Sequence, residues 1–275
     1  MADKEATAVL FYAVAQGRTD MIKKAVKQGA DLFQKDQYGF TALMKAAEKD
    51  NTEALKALLD AGADINDYSN YTAVFRHTTE AFSQGNLAAA LEARASNPLD
   101  DEEKDFGKIG DNALLNALYA NKMDSAMTLI KSGIDVNFMN SEGMTALLGA
   151  TYRGSITVVK ALVKAGAKIN VGDERMKNPL EFALSNGRLD IAKALLKTGV
   201  NVNMVDLFGT NLLIKAALEN NLETIKFLVM AGADPLTEDS HGSTMEELAS
   251  DPTLRKHLTT VIEALRKKAK ARERR

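Results

Sequence analysis

Residues 58–66 read LLDAGADIN, and nearly the same phrase returns as LIKSGIDVN at 129–137, LVKAGAKIN at 162–170, LLKTGVNVN at 195–203 and LVMAGADPL at 228–236. The glycines of this phrase set a period: Gly29, Gly62, Gly133, Gly166, Gly199 and Gly232 are spaced 33, 71, 33, 33 and 33 residues apart. A second ladder, Leu10, Leu43, Leu114, Leu147, Leu180 and Leu213, has the same spacings in the same register. A fixed period of this length is the signature of an array of small repeated units. The interval of 71 reads as room for one further, irregular unit of about 38 residues.

One unit shows how the residues build it. In TALMKAAEKD (41–50), Leu43, Ala46 and Ala47 fall at i, i+3 and i+4, one apolar face of a short helix, with Thr41 at the N-cap position. In TEALKALL (52–59), Leu55, Leu58 and Leu59 make a second apolar face. Gly62 then ends that helix in the left-handed conformation that glycine adopts without strain. Turn-rich residues lead on to the next unit. Each unit is thus expected to be helix, tight turn, helix and extended finger.

This pattern resembles the ankyrin repeat, on YGFTALMKAA (38–47) with ALKALLDAGADIN (54–66), and again on EGMTALLGAT (142–151), MKNPLEFAL (176–184) and FGTNLLIKAA (208–217). The resemblance implies an all-α repeat solenoid, a stack of helix-turn-helix units joined by short β-hairpin finger loops. The histidine that such repeats usually carry in the first helix is replaced by Met44, Leu115, Leu148, Glu181 and Ile214, and the usual proline appears only as Pro179. The repeats are therefore divergent. Stacking is required because a two-helix unit this small cannot bury its apolar face alone. The alanines Ala46, Ala47, Ala150 and Ala216 permit close helix approach.

The expected organisation is a single array over residues 1–265, about seven repeats plus a C-terminal cap, followed by a basic tail at 266–275. Repeats start near Thr7, Asp36, Asp67, Gly107, Asn140, Asp173 and Asp206, and the cap near Asp239, where Glu246 replaces a core leucine. Repeat three is irregular. Its link from Gly62 to Asp67 reads two residues short, its first helix (72–86) reads long, and an acidic loop follows at 98–107. That loop reads either as a solvated connection or as an element that extends the binding face.

The 275 residues carry a net charge of −2, but the last ten, RKKAKARERR, hold seven basic side chains and one acidic one. The body is therefore acidic, which argues against nucleic acid as a partner. The tail reads as a charged helix end, with import or an anionic partner the other reading. No apolar run is long enough to cross a membrane. MADKEATAVL shows no signal peptide, although one removed from a precursor would leave the same start. There is no cysteine, which excludes disulfides and thiolate chemistry. Its absence fits a bacterial, periplasmic protein as well as a cytoplasmic one.

Catalytic and metal patterns are sparse. His77, His241 and His257 have no histidine partner at i+3 or i+4. The pair His77 and Glu80 reads as ordinary helix. There is no phosphate-binding glycine loop and no nucleophile elbow. Asp64, Asp135 and Asp234 recur with the period and read as turn residues. The sequon Asn70–Thr72 reads as part of the repeat's own motif. No enzyme, cofactor or metal is expected.

Binding remains. In the ankyrin family the fingers and first helices line a concave face that grips proteins. Counting Asp36 as position 1, the positions that face this side hold Tyr38, Phe40, Tyr68, Tyr71, Tyr119, Met144, Tyr152, Arg153, Arg175 and Phe208. Clustered rings, methionine and arginine are the composition of an interface core. The expected function is non-enzymatic binding of a folded partner protein from repeat two to repeat seven by a chain that is itself monomeric. An inhibitor or immunity protein of an enzyme, such as a bacterial envelope hydrolase, fits a binder with no effector domain. The alternative is a scaffold or adaptor with one partner on each side of repeat three.

Overall fold

The computed structural model describes residues 3–69, 110–170, 178–205, 210–256, 258–260 and 262. Contacts divide the chain into two units, Met1–Glu174 and Arg175–Arg275. In the first unit the helices come in pairs: α1 (Lys4–Ala15) with α2 (Thr19–Lys27), α3 (Ala42–Glu48) with α4 (Thr52–Asp60), α5 (Ala113–Tyr119) with α6 (Met123–Lys131), and α7 (Ala146–Arg153) with α8 (Ile156–Lys164). Each later first helix starts on a side-chain cap. Thr41 accepts from the Met44 N–H, Asn112 from Leu115 and Thr145 from Leu148. Each such cap is worth about 1 kcal/mol, because it satisfies an N–H that has no partner inside the helix. After α4 the chain turns at Gly62, with φ of 94°, a conformation that any side chain would strain.

First helices stack on first helices, α1 on α3, α3 on α5 and α5 on α7, while α2, α4, α6 and α8 stack beside them. The ladder leucines are the core. Leu10, Leu43, Leu114 and Leu147 are buried, as are Leu55, Leu58, Leu129 and Leu162 of the second helices. Each contributes roughly 1.5–3 kcal/mol by leaving water. Gly149 shows how close the first helices come: a Cβ there would stand 3.4 Å from the Leu118 side chain.

The packing of α3 on α5 corrects the expected third repeat. The repeats before and after residues 70–109 are direct neighbours, so no helix pair separates them. The fingers show why the sequence spacing misleads. In the finger at 36–40, the Asp36 N–H donates to the Phe40 carbonyl at 2.9 Å and Gly39 N–H donates to the Asp36 carbonyl at 2.9 Å. Asn140, Met144 and Gly143 repeat both bonds. Ser69, Asp111 and Gly110 make them too, with Ser69 N–H to the Asp111 carbonyl at 2.9 Å and Gly110 N–H to the Ser69 carbonyl at 3.0 Å. The finger stems agree: Tyr68 bridges Asn112 as Met139 bridges Thr145. Ser69 and Gly110 are thus joined as Asp36 and Gly39, or Asn140 and Gly143, are joined in the regular fingers. The link from Gly62 runs to Ser69, not Asp67, and is not short. The helix-start slot of the repeat that follows is filled by Asn112. The sequon, the helix expected at 72–86, His77 and the acidic loop at 98–107 all lie outside the described residues, as does the basic tail.

The second unit has the pairs α9 (Pro179–Ser185) with α10 (Leu189–Leu196) and α11 (Leu212–Leu218) with α12 (Leu222–Met230), then the single turn α13 (Met245–Leu248). Pro179 occupies the first turn of α9, where its missing N–H costs nothing. Lys215 of α11 pairs with Glu181 of α9 at 2.8 Å. A capping box at Thr244 and Glu247 opens α13, and Ala249, Leu254, Leu258 and Ile262 bury the apolar side of the C-terminal residues. Among the described residues, strand pairing is confined to single bridges at the finger stems.

Candidate functional site

The fingers are built by asparagine and aspartate. Asp36 Oδ1 accepts the N–H groups of Tyr38 and Phe40 at 2.9 and 3.0 Å, and Asn140 Oδ1 accepts those of Glu142 and Met144 at 3.0 and 2.9 Å. A short side chain that bonds its own following backbone is what sets such turns. Asp64, Asp135 and Asp234 do the same on a smaller scale, each accepting the N–H two residues on. Neighbouring fingers are stitched together. Asn66 Oδ1 accepts the Asp135 N–H at 2.8 Å, and Asn137 Oδ1 accepts the Lys168 N–H at 2.7 Å. In the second unit Asn203 accepts from Asp234 at 3.0 Å. The first of these bonds spans 69 sequence positions and the other two span 31, yet they are the same bond.

The residues expected on the binding face divide. Tyr152 is 56% exposed at the end of α7, Tyr68 is 42% exposed on its finger stem, and Tyr38 is half-buried at a finger tip. Phe40 is a correction, being 0% exposed. It stands just before the Thr41 cap, and both its N–H and its carbonyl are tied to Asp36. Closing the turn in this way sends the ring inward against the helix it precedes, with the Lys45 ammonium 5.6 Å from the ring centre. Met144 holds the same place in its own finger and is half-buried. Tyr119 is also half-buried. Its hydroxyl bonds Asn140, and burial, together with the carboxylates of Asp111 and Glu142, pushes the phenol far above its ordinary range. Arg153 is exposed, but its Nε donates to the Leu118 carbonyl at 3.0 Å and its Nη2 to that of Tyr119, closing the C-terminal end of α5. Its guanidinium also lies 5.8 Å from the Tyr152 ring. Tyr71, Arg175 and Phe208 lie outside the described residues.

The structure adds residues that the position count passed over. Counting from Asp67 shifted Tyr68 by two places. Its true register is the residue before the finger's first turn residue, shared with Lys35 and Met139 in this unit. Lys35 donates from Nζ to the Tyr68 carbonyl at 2.7 Å, pairs with Asp67 at 2.8 Å and lies 5.4 Å from the Tyr68 ring centre. The Tyr68 ring meets Phe138, centroids 6.0 Å apart. Met139 is 48% exposed. The equal distances from Gly29, Gly62 and Gly133 to Asp36, Ser69 and Asn140 were the signal that would have set this register. These stems, with the helix end at Tyr152, offer apolar area on a rigid frame and are suited to contact rather than to bond chemistry.

Other features are modest. In the second unit an open cleft is lined by Asn220, Leu222, Ser250, Asp251, Thr253 and Leu254. Its amide is already used, since Asn220 donates to Ser250 Oγ at 2.6 Å and accepts from the Asp251 N–H at 2.8 Å. Among the described residues no group of three His, Cys, Asp or Glu side chains is placed to hold a metal, and no helix is long and apolar enough to cross a membrane.

Comparison with known proteins agrees with the architecture. A family model described as ankyrin repeats in three copies matches residues 1–76, 80–173 and 171–239. Among solved structures, the crystal structure of the human ASB11 ankyrin repeat domain is similar to the chain at a TM-score of 0.64 and 21% sequence identity, covering 91% of this chain and 96% of that one. At that identity the likeness is one of fold. No curated protein matches the chain.

Proposed function

The chain belongs to the ankyrin-repeat family, whose members generally act as protein-interaction modules, and from that premise we propose that it is a non-enzymatic binder of a folded partner protein. In the first unit the contact face is formed by the finger stems and the ends of the first helices. The observation that carries this reading is the exposure of Tyr68, Met139 and Tyr152 on elements held rigid by caps and finger-to-finger bonds. Large rings on a pre-ordered frame bind without the entropy cost of ordering a loop, and a central ring of this kind contributes about 2 kcal/mol or more. A rigid face of this kind can act by covering its partner, and the role we propose is inhibitor or immunity protein of an enzyme.

The test is co-purification from cells of the source organism, with wild type, Tyr68→Ala and Tyr152→Ala as baits, followed by assay of any captured enzyme with and without the purified chain. The reading predicts one partner lost from both variants, with their melting unchanged, and a captured enzyme that the chain inhibits. A partner retained by both variants would remove this face from the account. A captured enzyme whose activity the chain leaves untouched would remove the inhibitor role.

A further inference from the structure

The finger stems of the first unit contain a surface that the sequence spacing hides. Tyr68 and Met139 occupy equivalent places on neighbouring fingers, and Phe138 joins them by its contact with the Tyr68 ring. Lys35 extends the line by one finger, its ammonium lying over the Tyr68 ring. The backbone beneath the line is continuous, because Asn66 bonds Asp135 across the junction as Asn137 bonds Lys168 beyond it.

Charge gives the line a chemistry. The Lys35 ammonium is neutralised by Asp67 at 2.8 Å. Asp64 and Asp135, at the base of the two fingers, are exposed, and among the described residues their carboxylates serve only their own turns through Asn66 and Asn137. Among the described residues of the next finger the exposed base is Lys168. An apolar centre with exposed carboxylates four residues before Tyr68 and Met139 on the same fingers favours a ligand of opposite sign around an apolar side chain.

We propose that Lys35, Tyr68, Phe138 and Met139 form one contact strip that runs unbroken past residues 70–109, and that its occupant is a single protein segment presenting an apolar side chain flanked by lysine or arginine. The proposal rests on the reading of the chain as a protein-binding module and names the chemistry of its partner.

The probe is a phage-displayed library of random peptides selected on the full chain, with a synthetic consensus peptide measured by fluorescence anisotropy. The expected consensus places basic residues around an aromatic or aliphatic one. Its affinity falls about tenfold in Tyr68→Ala and again in Met139→Ala. Affinity also falls in Asp64→Asn and Asp135→Asn and as salt is raised. Met230→Ala, at a residue 89% exposed on α12, leaves it unchanged. Replacing residues 70–109 by Ser-Glu, the pair found at 141–142, leaves both binding and cooperative melting in place. Selected peptides that ignore Tyr68 and Met139 would overturn the strip while leaving a binding module. Peptides that need the strip but carry acidic residues would overturn the partner chemistry. Binding lost on excision, with melting retained, would overturn the continuity. A library that yields no binder would sink the binding-module reading and the proposal with it.

Discussion

The finger at 36–40 and the finger that opens at Ser69 and closes at Asp111 make the same bonds and do unequal work. In the first, Asp36 reaches Phe40 across three intervening residues; in the second, the same bond joins residues 42 positions apart. Loop-closure entropy grows slowly with length, about 0.6 kcal/mol per doubling, so the longer finger costs roughly 2 kcal/mol more to close. The bonds that join the two sides of the stem are matched. The Asp111 N–H donates to Ser69 Oγ at 3.0 Å, where Phe40 N–H donates to Asp36 Oδ1. The long finger then has an addition, for Asn140 Nδ2 of the next finger donates to Asp111 Oδ1 at 2.8 Å. Ser69 and Asp111 are both fully buried. What must be held is the stem, and polar side chains hold it.

The largest effect tests whether the two repeats are neighbours at all. The chain has no cysteine, so Asn66→Cys with Asp135→Cys introduces one addressable pair at positions whose side chain and backbone are 2.8 Å apart. A short bifunctional maleimide should cross-link nearly all of the folded chain and very little in denaturant, read as a mobility shift after protease digestion between the two sites. A helix pair interposed between α4 and α6 would leave the cysteines unlinked.

That neighbour relation was the part of the fold the sequence concealed. The helices, their caps and the period were legible, because Thr41, Thr145 and Gly62 carry local chemistry that is the same in every unit. The insertion was not, because its 40 residues are close to one repeat in length and kept the glycine ladder looking almost in phase. Residues 72–86 also read as a first helix, and they lie outside the described residues. The binding face suffered from the same slip. Tyr68 was found on the wrong count, Met139 and Lys35 were missed with it, and Phe40 was assigned outward because position alone does not reveal that its N–H and carbonyl are both claimed by Asp36.

Asn140 should be the most sensitive single residue of the long finger's stem. It closes its own turn through Oδ1, donates to the buried Asp111 carboxylate and bonds the Tyr119 hydroxyl. Asn140→Ala leaves a buried carboxylate short of a donor and is expected to cost about 3 kcal/mol in urea unfolding. Asp36→Ala, in the regular finger, loses its two turn bonds and the Lys45 pair at 2.9 Å. It should cost about 1–2 kcal/mol, because those groups remain within reach of water. Equal losses would mean that Asn140 does nothing special for the long finger.

A smaller change should go the other way. Asn116 of α5 is 2% exposed, and neither its Nδ2 nor its Oδ1 has a hydrogen-bond partner; Ser125 of α6 is buried with its Oγ unpartnered as well. At the place of Asn116 the preceding repeat has Lys45, paired with Asp36, and the following one has Gly149. The repeat after the insertion thus carries polar groups in its core that its neighbours avoid. Asn116→Leu, with the same branching and number of side-chain heavy atoms, should raise stability by about 1–2 kcal/mol, seen as a higher melting temperature. Lower stability would mean that the amide has found a partner, such as water, in solution.

The smallest effect concerns a finger with the regular closure in the second unit. Asp239 accepts the His241 and Ser243 N–H groups at 2.8 Å each, and the bond from Ser243 is the larger cause holding its carboxyl below the ordinary value of 3.8. A folded pKa below the unfolded one means that the stabilisation is complete above the unfolded value and is lost as pH falls through the folded one. Asp239→Asn keeps an oxygen acceptor without the charge. The difference in melting temperature between wild type and this variant should therefore be constant near neutral pH and shrink below pH 3.8. An NMR titration of the Asp239 carboxyl should place its midpoint under that value. A midpoint at or above it would show that the turn bonds seen here do not favour the ionised carboxylate, and would weaken the physical account of every finger in which an aspartate closes the turn.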